Sequence, residues 1–190
     1  MTNELLERLC TFKGLMLDAD GVWFTGHEYR MTLPDGQVVI MKKRHFHDGQ
    51  GLSFLRALGI KVVFATGEGE PLQSIVQKIN ELPSVKSGEW APVDLFMGEL
   101  KKGGKVASLE AWMQKHNLTW QECTYIGDDR TDLEAMQKAG LKVVPANARR
   151  LIKKISDINL QLVGGEGAIR EFAEMVLDAR GIDEATLPAA

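Results

Sequence analysis

Residues 14–21 read Gly-Leu-Met-Leu-Asp-Ala-Asp-Gly. A short apolar run without alternation predicts a strand buried on both faces, as in a parallel sheet. The run ends in acids, so the strand would deliver Asp18 and Asp20 at its C-terminal end. On extended backbone these two side chains point the same way. Gly21 follows and permits a turn that re-aims the second acid.

The pattern continues on either side. Upstream, apolar residues at 5, 6 and 9 predict a short helix over Asn3–Cys10. Downstream, about 27–47, two extended segments flank Pro34-Asp35-Gly36, a predicted hairpin. A helix is expected from Asp48-Gly49 to Leu58, with Asp48 as its N-cap and Gly59 ending it. Further buried strands are expected at 61–67, 93–98, 123–129 and 141–147, with a last extended piece at 158–164. Helices are expected at 71–82 (Pro71 in the first turn), 105–116, 131–139, 147–156 and 167–179, and a loop at 83–92. The tail, about 181–190, is expected to fray. Strands alternating with helices at this spacing predict an α/β fold with a doubly wound, mostly parallel sheet, in one domain spanning 1–190.

In such a sheet ligands bind beyond the C-terminal strand ends. Asp18 and Asp20 would meet Thr66 and Gly67 there, with Lys101, Lys102 and Lys105 before or on the next helix, and Asp128 and Asp129 with Asp132 one turn on. Crowded carboxylates repel and tend to take up protons. A hard divalent cation removes that conflict, and Mg²⁺ takes one or two carboxylates plus substrate oxygens and water.

The set reads as a phosphoryl-transfer site. Asp18 would attack phosphorus and form an acyl phosphate. Asp20 would protonate the leaving alcohol and then deprotonate water. Asp128 would complete the metal site with Asp18, Thr66 and nearby amides such as that of Gly67 would hold phosphate oxygens, and Lys105 would bridge phosphate and nucleophile. A cation in a helix's first turn opposes the helix dipole, which favours a functional role for Lys105; Lys102 is its rival. Plainer readings stand beside these. Asp18 and Asp20 could be a turn pair, Asp128-Asp129 caps, Asp132 a local partner or cap, and Thr66 a satisfied turn residue. His45 and His47, on one face of a strand, read as a solvated or partner-facing hairpin before metal ligands. Trp112 is expected in the core, Trp90 at an interface, and Trp23 either packed or at the mouth of the site.

Composition removes other classes. With 23 basic and 26 acidic residues the net charge is -3, so no basic field favours nucleic acid or an anionic membrane. Two cysteines, Cys10 and Cys123, with no CxxC pair, suit a reduced cytoplasm. No apolar run approaches the ~20 residues of a membrane span, and the N-terminus lacks a signal-peptide core.

These residues resemble the haloacid dehalogenase superfamily, whose motifs occur here in order: LDADG, ATG, Lys105 and GDDRTD. On DADGVWFTG (18–26), HDGQGLSFLRALGIKV (47–62), TYIGDDRTDLEAMQKAGL (124–141) and GGEGAIREFAEMVL (164–177), the chain is similar to the small capless phosphatases of 3-deoxy-D-manno-octulosonate 8-phosphate and of nonulosonate 9-phosphates. It is similar also to the C-terminal domain of animal CMP-sialate synthetases. The resemblance implies a Rossmann-like sheet with a β-hairpin and no cap domain, and residues 21–48 and 68–104 leave no room for one. It implies a Mg²⁺ phosphatase acting on a small sugar-acid phosphate, usually a homotetramer in which one subunit's hairpin shapes a neighbour's active site, with Arg170 or the 164–167 loop contributing. It carries the nucleophile onto Asp18, the acid/base onto Asp20 (its backbone carbonyl also a metal ligand), the phosphate hydroxyl onto Thr66, the lysine onto Lys105 and a metal ligand onto Asp128. Glu68 after Thr-Gly matches the nonulosonate side, where octulosonate enzymes carry Arg. Departures are Phe24-Thr25-Gly26 in place of Thr-Asp-Gly, an inserted 83–92, and added residues before Lys105. The alternative is a catalytically retired oligomerisation module, which the retention of Asp18, Asp20 and Asp128 opposes.

Overall fold

The computed structural model describes residues 2–67, 69–98 and 104–188. Glu68 and Lys102, weighed above, lie outside the described residues. Six parallel strands form the main sheet in the order β5-β4-β1-β6-β7-β8. β1 (Gly14–Leu17) is central and wholly buried, between β4 (Lys61–Ala65) and β6 (Cys123–Ile126). β5 (Val93–Phe96) lies outside β4, and β7 (Leu141–Val144) and β8 (Ile158–Asn159) continue beyond β6.

Side-chain alternation along β1 builds two cores. Leu15 and Leu17 pack in one cluster with Leu9 of α1 (Asn3–Thr11), Leu52 and Leu55 of α2 (Phe46–Ala57), Val76 of α3 (Leu72–Asn80) and Phe172 of the last helix. Met16 enters the other, with Leu109 and Trp112 from a helix over Gly104–His116 and Met136 from one over Leu133–Lys138. In chain order the helices after α3 are α4 (Pro83–Lys86), α5 (Gly104–His116), α6 (Leu133–Lys138), α7 (Arg150–Lys153) and α8 (Ala168–Arg180). The layers are therefore helix, sheet, helix, and the C-terminal ends of β1, β4 and β6 share one edge.

β2 (Glu28–Thr32) and β3 (Val38–Lys42) form the expected hairpin as a separate two-stranded sheet, with Glu28 opposite Lys42. No cap domain interrupts the described residues, and no described helix is long and apolar enough to cross a membrane.

Several local expectations are corrected. Asp48 does not cap its own helix: α2 starts at Phe46 behind His45, and the fully buried Asp48 carboxylate caps α8. It accepts from the amides of Gly167 (3.1 Å), Ile169 (2.9 Å) and Arg170 (3.1 Å). Gly167 has no side chain to satisfy those amides. Gly51 lets α2 approach so closely that a Cβ there would stand 2.8 Å from Arg170 Cα. His45 and His47 thus lie at a helix start and not on a strand; the His47 amide donates to His45 Nδ1 at 3.2 Å. Within 83–92, Pro83–Lys86 is a helical turn. Trp90 is buried beneath the Arg56 guanidinium (5.5 Å to the ring centre) and not at a surface. The helix expected at 131–139 begins as a 3-10 turn at Arg130–Asp132. Of 158–164 only Ile158 and Asn159 pair as strand. The tail makes a 3-10 turn at Glu184–Thr186, with Glu184 bonded to Arg170.

Candidate active site

The Asp18 amide continues the β1–β6 ladder by donating to Ile126 O at 3.0 Å, so the sheet itself aims this side chain. Its Oδ1 accepts from the Ala19 amide at 2.7 Å and faces Lys105 Nζ at 2.8 Å. Lys105, in the first turn of α5, has a side chain only 4% exposed, and it also donates to Asp132 Oδ1 at 2.6 Å. Asp132 is the keystone. Its Oδ1 accepts also from the Tyr125 hydroxyl (2.7 Å), and its Oδ2 from the amides of Asp128 (3.0 Å) and Asp129 (3.2 Å). Both its oxygens are thereby engaged, Oδ1 by Lys105 and Tyr125 and Oδ2 by the 127–129 turn. Asp129 caps the turn at 130–132 through the Arg130 amide.

Two glycines make the approach possible. Gly21 (φ +81°) lies so near Asp128 that a Cβ would overlap the carboxylate, and a Cβ on Gly127 would run into Asp132. Carboxylate oxygens of Asp18, Asp128 and Asp132 lie within 4.8 Å of one another. Among the described residues nothing donates a hydrogen bond to the Asp128 carboxylate. Its pKa is pushed up to about 7 by burial and then by Asp132, Asp18 and Asp129. Burial, followed by Asp132, also raises Asp18, against the opposing pull of Lys105. Burial alone would lower Lys105, but Asp132 and Asp18 outweigh it and its pKa rises. Three acids facing one ammonium leave unbalanced negative charge. The uncommitted oxygens of Asp18 and Asp128 are hard donors, so the residues present fit a divalent cation such as Mg²⁺.

Asp20 sits across the turn, its carboxylate oxygens 2.9 and 2.8 Å from Lys42 Nζ at the end of β3. Asp18, Asp20, Thr25, His27, Asp128 and Arg149 are among the residues around a cleft of 470 Å³. Thr66, buried, and Gly67, exposed, directly follow the neighbouring strand β4 but do not line that cleft, and the Thr66 amide is spent on Phe96 O (3.0 Å). A larger groove of 920 Å³ lies along α2 and α3; it is lined by none of the acids of the strand-end cluster. Trp23 borders that groove while its ring packs on Phe64 in the core, away from the acidic cleft.

Residues that pattern reading passed over hold the site together. Asn147 donates to Gly21 O (2.9 Å) and accepts from the Gly164 amide (2.8 Å). The Gly165 amide donates to Val22 O at 2.8 Å, welding the 164–165 loop to the turn after Asp18. Arg170 is engaged within the chain, with Gln50, Glu174 and Glu184, over the Phe54 ring. Lys42 had no motif to mark it. Only the expectation that the hairpin leaves and rejoins the sheet edge beside Asp20 could have pointed there.

The family model for haloacid dehalogenase-like hydrolases matches residues 60–164. The chain belongs to the haloacid dehalogenase-like hydrolases. It is 30% identical over 175 residues to the 3-deoxy-D-manno-octulosonate 8-phosphate phosphatase of Haemophilus influenzae, covering 92% of this chain and 88% of that one. Among solved structures it resembles the Moraxella catarrhalis enzyme of the same name, determined with magnesium, phosphate and KDO (26% identity, TM-score 0.76, 95% of this chain and 94% of that one). It also resembles the cobalt-bound Haemophilus influenzae deoxy-D-mannose-octulosonate 8-phosphate phosphatase (29% identity, TM-score 0.73, 92% of each chain). This hydrolase family shares the helix–sheet–helix layering seen here.

Proposed function

We propose that this hydrolase is a Mg²⁺-dependent phosphatase that moves the phosphoryl group of a small sugar-acid phosphate first to Asp18 and then to water. The observation that carries it is the gathering of Asp18 and Asp128 oxygens within 4.8 Å, with the buried Lys105 ammonium 2.8 Å from Asp18. Asp18 and Asp128, with the Asp20 backbone carbonyl, would hold the ion. Bound Mg²⁺ supplies positive charge to the phosphoryl oxygens. Asp18 attacks phosphorus, and Asp20 gives its proton to the leaving oxygen as the P–O bond breaks. The Asp20 carboxylate then takes a proton from the water that attacks the aspartyl phosphate. Lys105 offsets the charge of the phosphate, and the Thr66 hydroxyl and Gly67 amide are the candidates for its remaining oxygens.

The relatives are named for the eight-carbon acid, whereas Glu68 favours nine-carbon acids on the resemblance. Exposed Tyr29, Met31, Val38, Ile40 and Met41 on the hairpin support a homotetramer whose neighbouring hairpins wall the site. Two free cysteines agree with a cytoplasmic enzyme. The test is phosphate release from p-nitrophenyl phosphate and from octulosonate 8-phosphate, deoxynonulosonate 9-phosphate and N-acetylneuraminate 9-phosphate, with and without Mg²⁺. Release should require Mg²⁺, vanish in Asp18→Asn and be fastest with a nine-carbon acid. Preference for the eight-carbon acid removes Glu68 as the length determinant. A wild type inert across the panel supports the retired module instead.

A further inference from the structure

Lys42 is a buried ammonium on an otherwise solvated hairpin. Every residue of β2 is exposed, and so are Val38, Ile40 and Met41 of β3. Yet the Lys42 side chain is 4% exposed, and its Nζ lies 2.8–2.9 Å from both oxygens of Asp20 and 5.8 Å from the centre of the Phe24 ring. Sequestering an ammonium from water is costly. Both oxygens of the Asp20 carboxylate lie against this ammonium.

We propose that Lys42 is a positioning residue for Asp20, holding its carboxyl group towards the leaving oxygen and meeting the negative charge that appears there as the proton departs. This rests on the phosphatase reading above. When the P–O bond breaks, the proton passes from the Asp20 carboxyl to the leaving oxygen, and the new carboxylate lies against an ammonium already in place. An interaction that strengthens as the transition state forms lowers the barrier without tightening substrate binding.

The experiment compares two esters on the full chain with Mg²⁺. p-Nitrophenolate leaves without a proton; the alkoxide of a sugar phosphate needs one. In Lys42→Met, kcat on the sugar phosphate should fall about tenfold or more, below the ~10²–10⁴-fold worth of an acid–base group, since Asp20 itself remains. On p-nitrophenyl phosphate the rapid-mixing burst of p-nitrophenolate, which reports transfer to Asp18 before Asp20 acts on water, should stay within about threefold, and KM for the sugar phosphate should stay near wild type. Lys42→Arg should recover most of the lost rate. Lys42→Gln reads the same ratio should the Met variant not fold. A burst slowed as much as sugar-phosphate turnover, or no loss in either, overturns the proposal. Asp18→Asn must silence both esters; if it does not, the phosphatase reading is what fails.

Discussion

The turn over residues 18–25 and the hairpin over 28–42 are neighbours in the chain and opposites in environment. In the turn every residue but Asp20 is buried, Trp23 and Val22 completely. In β2 none is. The turn is held by the sheet ladder, by Asn147 and by the 164–165 loop. The hairpin has its own ladder and the Lys42–Asp20 contact. A lone two-stranded hairpin is marginal in water, so the second region depends on what it packs against, while the first is fixed by the core. Asp18 is therefore placed rigidly, and the part free to vary its surroundings lies at the rim.

The contrast can be broken most forcefully at Asp132. Asp132→Ala removes the acceptor of Lys105, Tyr125 and two amides. Lys105 keeps Asp18 but loses its second carboxylate, and a buried hydroxyl and two amides lose their acceptor; together this should cost about 3–5 kcal/mol of folding stability, read as a lowered denaturant midpoint, and phosphatase activity should be lost with it. A variant of unchanged stability would show that the turn is not held as described.

The next effect is on pH dependence. Asp128 has an ordinary value of 3.8 and a folded value near 7, and Asp18 is raised too. Between those values the folded chain binds more protons than the unfolded one, so stability falls as pH rises through that window. Carboxylates with depressed values, such as Asp94 and Glu122, change stability the other way, but their effect is complete near their ordinary values, well below neutrality. The metal-free chain should thus lose thermal stability from about pH 5 to pH 7. Mg²⁺ should raise the melting temperature more at pH 7.5 than at about pH 5, since it favours the ionised acids. Equal stabilisation at both pH values would argue against an ion on Asp18 and Asp128.

The smallest effect on folding belongs to the hairpin. Ile40→Ser on the exposed face should change the unfolding free energy of the chain by no more than about 0.5 kcal/mol. If the proposed homotetramer forms through the hairpins, the same variant should shift it to smaller species in sedimentation velocity. An unaltered assembly would place the subunit contact elsewhere.

The sequence by itself determined the strand that carries Asp18, the alternation of strand and helix, the hairpin, and the set of residue types at the strand ends. Each of these is written locally: a four-residue apolar run, a Pro-Asp-Gly turn, acids next to glycine. Its local rules misassigned Asp48, because an acid near a helix start looks the same whether it caps that helix or reaches across to another. Only the packing of α2 on α8 through Gly51 decided that. Tertiary structure likewise made Asp132 a hub and Asn147 a clamp, and brought Lys42 to Asp20. Those partners lie far apart in the chain, and a hydrogen bond between them leaves no periodicity to read. The chemistry of a strand end is legible residue by residue. Its electrostatic balance is not, since burial and the distances between charges exist only after the chain has closed.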